Sequence, residues 1–257
     1  MDSPTVCCLM GNHNYSAFLE EAMRSILNQD YKNIILGVVD DASSDNSPEI
    51  IERIAREDSR VDPIYLKDGV GVAEARNMII RKNFDRSHFF LIVDSDDVSY
   101  LTKVRKMLEK MLMSPAIVGC YGDYDIINMN TGVTLREYKE PYDFYNLQQS
   151  CVVHSSCMMS KEGLNKITEL VDGKPSWFDK ELHCHRGNGQ FCGSVEDWDC
   201  FLRLNEIGLF THIPEALSGV RVHNNNQSQI EKVNKTWKNN VEHIQRKAQQ
   251  RALARSV

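Results

Sequence analysis

Residues 88–97, with the sequence HFFLIVDSDD, constrain the fold more than any other part of the chain. Five apolar residues run without interruption into three aspartates that lie within four positions. A short, uninterrupted apolar run is typical of a strand buried on both faces of a parallel sheet. In open α/β sheets, ligands gather outside the carboxyl ends of the strands, where these acids fall. Clustered acids repel one another unless a cation lies among them, so the stretch predicts either a cation site or an acidic turn that caps the next helix.

Apolar runs and helix-periodic segments alternate four times before residue 100. Ser16 and Ser47 precede segments with apolar residues at helical spacing, and we predict that they cap the first two helices. Residues 69–83 form the third predicted helix. This alternation indicates a Rossmann-like α/β fold, with a mostly parallel central sheet flanked by helices. The predicted strands are residues 5–10, 34–39, 64–66 and 89–93.

The second half of the chain has a more mixed pattern. A hairpin at residues 117–138 predicts a smaller mixed sheet beside the main one. Residues 172–193 are rich in glycine, histidine and aromatic residues, which favours a functional loop. The other predicted elements are a helix at 101–113, a strand at 150–159, a helix at 160–170, a helix at 194–208 and a short strand at 219–222.

Composition excludes several classes of protein. The 257 residues suffice for one large α/β domain. A net charge of -6 and a pI of about 5.8 argue against a nucleic-acid partner. No run reaches the roughly 18 apolar residues of a membrane span, so we expect no transmembrane segment. The eight cysteines follow no disulfide spacing, and we expect reduced thiols in a cytoplasmic protein.

The C-terminal tail, residues 229–257, is predicted to form one amphipathic helix. Residues 231–257 hold seven Lys or Arg against two Glu. Such a helix can pack on the main domain, join two subunits as a homodimer, or lie on an anionic membrane surface, and we favour packing. Its apolar stripe consists of Val233, Trp237, Val241, Ile244 and Ala248.

Two positions in the first half carry ligand-binding chemistry. Asp40 and Asp41 follow the second predicted strand, where a carboxylate can accept hydrogen bonds from a base or a ribose, or can cap a turn. Arg76 lies on a helix that opens with Gly69-Val70-Gly71. Glycine allows backbone to approach a phosphate, and a guanidinium fork binds phosphate oxygens, although a solvated arginine is the commoner case. The third glycine of the dinucleotide fingerprint is missing.

Two further positions lie late in the chain. Glu196 and Asp197 open a predicted helix, where acids also complement the helix dipole. Arg221 and His223 are two apart on a predicted strand and therefore share a face, which suits a pyrophosphate and its metal. A zinc site is a minor alternative, because the spacing of its candidate ligands matches no standard pattern. Those candidates are His183, Cys184, His185 and Cys192.

Taken in order, the motifs resemble those of the inverting glycosyltransferases of family 2, which have the GT-A fold. They cover residues 4–228 and read GNHNY, VVDDASSDNS, GVGVAEARN, LIVDSDD, SVEDWDCFLR and GVRVHNNNQS. The resemblance implies a GT-A domain at residues 1–228, with a nucleotide-binding half at 1–100 and an acceptor half at 101–228. It also implies transfer of a sugar from a nucleoside diphosphate sugar, with uridine as the commonest base in the family.

The resemblance further implies roles for residues that match the motifs. Asp41 would hydrogen-bond the base, and His13 would lie against its ring, where family members often have tyrosine. Asp94 would contact the ribose. Asn12 and Ser95 would complete the nucleotide site.

The same resemblance places the diphosphate and its cation. Asp96, sharing the task with Asp97, would hold Mn²⁺ or Mg²⁺ through a DXD-type motif. His223 would close over the metal or diphosphate from the far side. Arg76 and Arg221 would contact the phosphates. Hard divalent cations prefer oxygen ligands of this kind and stabilise a leaving diphosphate.

On the acceptor side, the resemblance implies that Asp197 is the catalytic base and that Glu196 orients the acceptor. A hydroxyl is a poor nucleophile, so a carboxylate must take its proton. The chain lacks the Gln-x-x-Arg-Trp motif of the polysaccharide synthases, so we expect a non-processive enzyme that adds one sugar to a glycan or other hydroxyl acceptor. Trp177 and Trp198 are candidate acceptor-binding rings, with ordinary packing as the alternative.

Two other functions share some of these features. A nucleotidyltransferase also combines an alternating fold with metal carboxylates, but it usually has a glycine-rich basic loop after the first strand, where this chain reads GNHNY. A non-catalytic sugar-nucleotide-binding module needs no acids at the catalytic positions, and here those acids are intact. The released product distinguishes the first alternative, and donor hydrolysis with Mn²⁺ distinguishes the second.

Overall fold

A computed structural model describes residues 3–182, 195–223 and 235–255. In that part of the chain the strands are β1 (Val6–Asn12), β2 (Ile34–Asp40), β3 (Val61–Tyr65), β4 (Phe89–Ile92), β5 (Val98–Ser99), β6 (Ile117–Asn128), β7 (Thr134–Glu137), β8 (Met158–Ser160), β9 (Glu169–Val171), β10 (Lys174–Ser176) and β11 (Leu209–Val222). The helices are α1 (Ser16–Leu27), α2 (Ser47–Glu57), α3 (Val72–Asn83), α4 (Lys103–Met111), α5 (Phe144–Gln149), α6 (Lys161–Lys166), α7 (Glu196–Asn205) and α8 (Lys235–Arg255).

Nine of these strands form one sheet, in the order β3-β2-β1-β4-β8-β6-β11-β5, with β7 beside β6. The first four strands in this order are parallel, as the alternating pattern predicts. Strand β8 is antiparallel both to β4 and to β6. The predicted α/β fold class is therefore confirmed, and the mixed strands continue the main sheet because β8 joins the two parts.

The two faces of the sheet carry separate hydrophobic clusters. Every residue of β4 is buried, which explains its uninterrupted apolar sequence. Helix α3 packs closely on β1 and β2: a Cβ at Gly37 would lie 2.2 Å from Cγ2 of Ile79. This close packing holds the carboxyl ends of β1, β2 and β4 beside the start of α3.

The first two helices begin differently from the prediction. Ser16 and Ser47 are the first helical residues, and their side chains cap neither helix. Instead, the carboxylate of Asp45 accepts the backbone N–H of Ser16 at 2.9 Å and that of Ser47 at 3.0 Å. One aspartate therefore satisfies an end N–H group of both helices, and this pairing over 29 positions has no local signature.

Two predicted elements differ in extent. Of the strand predicted at 150–159, only residues 158 and 159 are extended and paired, as part of β8, and residues 151–157 form an irregular segment of buried and partly buried residues. Strand β11 covers 14 residues instead of four, because it pairs along most of β6. The irregular segment lies against the acidic residues that follow β4, so it belongs to the candidate site.

Helix α8 packs on the main fold. Ile244 is fully buried, and Val241 and Ala248 pack against the same hydrophobic cluster. Arg251 donates to Glu206 at 2.7 Å, just beyond the end of α7. The favoured interpretation of the apolar stripe agrees with these contacts, whereas homodimer formation and membrane contact stay predictions. None of the helices in the described ranges is long and apolar enough to cross a membrane.

Candidate active site

The carboxyl ends of β1 and β2 present a connected polar cluster. Asn12 is buried, and its amide donates to Asp40 at 3.1 Å and to the hydroxyl of Ser43 at 3.2 Å. His13 donates from Nδ1 to the main-chain oxygen of Asp41 at 2.5 Å. These contacts fix the turn after β1 against the turn after β2, on the side of the sheet where parallel strands present ligand sites.

Asp41 organises the loop that precedes α3. Its two carboxylate oxygens accept the backbone N–H groups of Val70, at 2.6 Å, and Gly71, at 2.9 Å. Gly71 has a φ of 82°, a left-handed conformation that favours glycine. The glycines of this segment therefore shape a loop around Asp41, a role that spacing alone did not indicate.

Arg76 connects the two groups of acids. Its Nη2 donates to Asp94 at 3.1 Å and its Nη1 to Glu196 at 2.9 Å, across 18 and 120 positions of sequence. The side chain is 5% exposed. Both terminal nitrogens are engaged by carboxylates, so this conformation does not place Arg76 as the phosphate ligand that we expected.

Asp94 lies between Arg76 and the irregular segment 151–157. One carboxylate oxygen accepts from Arg76, and the other accepts from the hydroxyl of Ser155 at 3.3 Å. The neighbouring Ser95 is buried. Asp94 is half-buried, so part of it remains open to a ligand.

Residues 94–97, which follow β4, form an acidic loop. Asp96 of this loop contacts His223. His223 donates from Nε2 to Oδ2 of Asp96 at 3.2 Å. Its ring stacks on Phe18, with centroids 4.5 Å apart, and meets the edge of Tyr15. The structure therefore brings together an acid and a histidine that are 127 positions apart in the chain, as expected from the strand-end positions of both.

Asp97 and Arg221 hold the same loop to β11. The carboxylate of Asp97 accepts the backbone N–H of Arg221 at 2.9 Å. The guanidinium of Arg221 donates to the main-chain oxygen of Asp96 at 3.1 Å and pairs with Glu21. In this arrangement Asp97 fixes the acidic loop to strand β11, and Asp96 is the acid that contacts His223.

The charge of the acidic loop is only partly compensated. Burial, reinforced by the charge of Asp94, raises the pKa of Asp96 above its ordinary value. Burial, followed by the charges of Asp96 and Asp94, raises the pKa of Asp97 well above its ordinary value. A bound cation would relieve both effects, since it offsets the repulsion among ionised carboxylates.

The side chains at this site fit a divalent cation that is held partly by the protein and partly by the phosphates of a substrate. No group of three or more His, Cys, Asp or Glu in the described ranges forms a complete metal cage. Asp96 and His223 supply two ligands that face each other. Mg²⁺ is commonly held by one or two carboxylates together with substrate phosphates, and this donor set matches that pattern.

The first turn of α7 carries the second pair of acids. Glu196 is buried and held by Arg76, and burial raises its pKa above the ordinary value. Burial and the charge of Glu196 raise the pKa of Asp197 to about 7, whereas Arg76 opposes the increase. One oxygen of Asp197 accepts the backbone N–H of Trp198 at 2.7 Å. A carboxylate that titrates near neutral pH is suited to general-base chemistry.

The two candidate acceptor rings are buried. Trp177 is 2% exposed and donates from its indole to the main-chain oxygen of Leu164 at 3.0 Å. Trp198 is 3% exposed and donates to the main-chain oxygen of Leu147 at 2.8 Å. Neither ring presents a face to a sugar, so the packing alternative applies to both. The candidate zinc ligands, residues 183–185 and 192, lie outside the described residues.

Sequence reasoning did not identify three residues beside the acids. Ser155 donates to Asp94, and the ring of the half-buried His154 lies tilted by 33° against that of Tyr124, with centroids 4.2 Å apart. Lys103 is buried and donates to the hydroxyls of Ser99, Ser156 and Ser218. Lys103 lies in the helix predicted at 101–113, and the other two lie in the strand predicted at 150–159, so no local signal distinguished them.

Three parts of the chain therefore contribute the acids of this candidate site. Residues 7–168 match the model of glycosyl transferase family 2. An uncharacterized glycosyltransferase of Haemophilus influenzae is 34% identical over 124 residues, which cover 48% of this chain and 48% of that protein. The chain spans about half or less of the first two curated relatives that it matches.

A second relative has a more specific name. The Escherichia coli UDP-Glc:alpha-D-GlcNAc-diphosphoundecaprenol beta-1,3-glucosyltransferase WfgD is 30% identical over 151 residues, covering 59% of this chain and 58% of that protein.

Solved structures with a similar fold include S. aureus TarS 1-349 in complex with UDP. Its TM-score is 0.66 at 17% identity, over 85% of this chain and 60% of that one. The mannosyltransferase PcManGT from Pyrobaculum calidifontis, in complex with GDP-Man and Mn2+, has a TM-score of 0.61 at 17% identity, over 88% of this chain and 59% of that one. These likenesses support the GT-A fold. Because the family model covers well over half of the chain, the protein belongs to glycosyl transferase family 2.

Proposed function

We propose that the protein transfers one sugar from a nucleoside diphosphate sugar to an acceptor hydroxyl, with inversion at the anomeric carbon and with a divalent cation. The observation that carries the proposal is the double ion pair of Arg76. It joins Asp94, which follows β4, to Glu196, which opens α7. Asp94 belongs to the proposed donor site, and Glu196 is adjacent to Asp197, the proposed base. The side chain of Arg76 therefore connects the donor site to the residues that carry the base.

The nucleotide would occupy the carboxyl ends of β1, β2 and β4. In this proposal Asp41 and His13 contact the base and Asp94 the ribose, with Asn12 and Ser95 supporting them. Uridine is the base that we propose, and the name of the WfgD relative, which specifies a UDP-glucose donor, supports it. The contacts of Asp41 with backbone N–H groups leave further lone pairs on its oxygens, since a carboxylate has about four acceptor sites.

The diphosphate would lie between Asp96, His223 and Arg221. Mn²⁺ or Mg²⁺ held there would offset the negative charge that develops on the leaving diphosphate. Asp96 and His223 are the proposed protein ligands. Asp97 is a further candidate ligand, although one of its carboxylate oxygens already accepts the N–H of Arg221. Arg221 carries a positive charge on the same side of the loop.

Chemistry then needs one proton transfer. Asp197, in its ionised form, accepts the proton of the acceptor hydroxyl while that oxygen bonds to the anomeric carbon from the face opposite the diphosphate. The bond between the anomeric carbon and the diphosphate oxygen breaks, and the electron pair leaves with the nucleoside diphosphate. Glu196 supports Asp197 and orients the acceptor, which we propose to be a glycan or another hydroxyl compound. We further propose a non-processive reaction in the cytoplasm, and the free thiols of the described cysteines suit a reducing compartment.

Thermal unfolding with a panel of ligands tests the donor assignment. UDP and UDP-sugars should raise the melting temperature in the presence of Mn²⁺, and EDTA should abolish most of the increase. GDP and ADP serve as controls for the base. Equal stabilisation by every nucleotide, or by none, would contradict the proposed site.

The released product tests the reaction class. Incubation with a UDP-sugar, Mn²⁺ and water or a sugar acceptor should release UDP. A parallel incubation with UTP, a sugar 1-phosphate and Mn²⁺ should release no pyrophosphate, and pyrophosphate release there would support a nucleotidyltransferase. Donor binding without any hydrolysis or transfer would support a binding module.

A further inference from the structure

Arg76 is enclosed by the candidate site, with 4% of its surface exposed. Its two terminal nitrogens lie 2.9 Å from Glu196 and 3.1 Å from Asp94. The ring of Phe178 lies 5.7 Å from the guanidinium carbon, and Nε is buried. An arginine that binds a diphosphate needs at least one open edge of its fork, whereas carboxylates and apolar surface cover this one.

The charges around Asp197 give Arg76 a second effect. Asp197 experiences the negative charges of Glu196, on its own helix, and of Asp94, at the end of β4. It also lies near the thiol of Cys151, whose pKa is raised by burial and by Asp197. Arg76, on α3, is the positive charge that opposes these groups. Burial favours the neutral form of Asp197, and a proton acceptor must be ionised, so the nearby cation favours the reactive form.

We propose that Arg76 is a positioning residue that connects the donor side of the site to the base, and that it does not bind the diphosphate. It holds Asp94 and Glu196 in one hydrogen-bonded network and supplies a positive charge that favours the ionised form of Asp197. This inference rests on the proposed function of the same site. It predicts that removing Arg76 changes the behaviour of the base more than the recognition of phosphate.

The first test compares ligands with and without phosphate. Dissociation constants for uridine and for UDP, both with Mn²⁺, are measured by calorimetry in the wild type, Arg76→Gln and Arg221→Gln. Because Arg76 makes no phosphate contact in the proposal, Arg76→Gln should weaken both ligands by a similar factor. Arg221→Gln should weaken UDP more than uridine. A selective loss of UDP affinity in Arg76→Gln would overturn the inference.

The second test uses the pH dependence of transfer. In Arg76→Gln the midpoint of the rise in kcat with pH should move upward by roughly one unit, the smaller end of the effect of a nearby opposite charge. Arg76→Lys retains the charge but cannot bridge two carboxylates, so its midpoint should stay near that of the wild type while kcat decreases. An unchanged midpoint in Arg76→Gln would overturn the inference.

Arg203 provides a matched control. It is also a buried arginine, and on α7 it pairs with Asp199 at 3.0 Å and donates to the main-chain oxygen of Ile167. Arg203→Gln should lower the melting temperature without moving the pH midpoint. A shift as large as that in Arg76→Gln would mean that general loosening of α7 causes the effect, which would overturn the inference.

A double variant addresses folding. Arg76→Gln leaves Glu196 as a buried, unpaired acid and can reduce the yield of folded protein. Arg76→Gln/Glu196→Gln removes both charges, so its melting temperature should recover and its pH midpoint should return toward that of the wild type. A double variant with the same pH midpoint as Arg76→Gln would contradict the proposed effect of the charge of Arg76 on Asp197. Absence of any transfer by the wild type would instead defeat the proposed function, and the uridine and UDP comparison would still test Arg76.

Discussion

Two pairs of adjacent acids, Asp96–Asp97 and Glu196–Asp197, have opposite electrostatic arrangements. Each pair lies near a buried cation. Arg76 makes a direct ion pair with Glu196, whereas Lys103, the cation below the first pair, donates only to serine hydroxyls among its described contacts. The second pair is therefore compensated by a direct arginine ion pair, whereas the first pair is only partly compensated, by His223 and the backbone N–H of Arg221.

This difference indicates what each pair can do. In the compensated pair Arg76 holds Glu196, and burial and the charge of Glu196 raise the pKa of the other acid, Asp197, to about 7. In a partly compensated pair the carboxylates still repel each other, and a cation bound together with a diphosphate would offset that repulsion. Similar two-residue acidic motifs therefore suit different chemistry because their buried neighbours differ.

The largest expected effect comes from Asp197→Asn. Transfer should decrease by roughly 10²–10⁴-fold, the usual contribution of a positioned base, while donor affinity and metal affinity stay close to those of the wild type. Steady-state kinetics and calorimetry measure the three quantities. Asp199→Asn, a buried acid two residues further along α7, is the control and should affect mainly stability. Parental transfer by Asp197→Asn would remove the base assignment and make Glu196 the next candidate.

The next effect distinguishes the two acids of the first pair. Asp96→Asn should weaken Mn²⁺-dependent UDP binding by about 10- to 100-fold, a range typical of changes around a metal site. Asp97→Asn should have a smaller effect, because an amide oxygen can still accept the N–H of Arg221. Titration of UDP at several Mn²⁺ concentrations measures both. Equal losses would mean that both acids bind the cation, and a loss confined to Asp97→Asn would move the ligand assignment to Asp97.

The third prediction concerns pH. The pKa of Asp197 is raised to about 7, so the acid is protonated below that pH and cannot take a proton. We expect kcat to increase about tenfold per pH unit up to neutral pH and then to level off. Stability should move in the opposite direction: the folded pKa exceeds the ordinary value, so this stabilisation is present at low pH and is lost as pH rises through about 7. A flat rate profile between pH 5.5 and 7 would contradict the assignment.

The smallest expected effect concerns Lys103. Burial lowers the pKa of its amine to about 8, so between about pH 8 and 10.5 the unfolded chain binds more protons than the folded protein. This group therefore makes stability rise with pH in that window, by at most about 1.4 kcal/mol per pH unit. Urea unfolding of the wild type and Lys103→Met at pH 7.5, 8.5 and 9.5 isolates the contribution. Identical pH slopes in the two proteins would show that the amine is not neutralised in the folded state.

The two acid pairs also differ in how much of their surroundings could be predicted from the sequence. The strands β1, β2 and β4 are uninterrupted apolar runs, and their acids lie at the strand ends, so pattern and topology together located the first acid pair. The second pair was identified as the start of a helix. The ion pair of Glu196 with Arg76 could not be predicted, because the two residues are 120 positions apart and no local pattern indicates their contact.

The errors in the second half have a common physical origin. Residues 151–157 have the apolar composition of a strand, but Val152, Val153 and Cys157 are buried in a hydrophobic cluster without forming a strand, and Ser155 contacts Asp94. Trp177 and Trp198 have the composition of a sugar-binding surface, yet main-chain oxygens of Leu164 and Leu147 satisfy their indole N–H groups inside the core. Burial of this kind depends on tertiary contacts, which hydrophobic periodicity does not encode.

The continuity of the sheet has a mechanical consequence. Strand β8, from the second half of the chain, pairs with β4 of the first half and with β6, so the sheet is continuous across the site. The join is narrow, because β8 has three residue pairs with β4 and two with β6, whereas β1 and β2 have seven. Bending of the sheet would therefore concentrate at β8 and would change the distance between the acids that follow β4 and those that open α7.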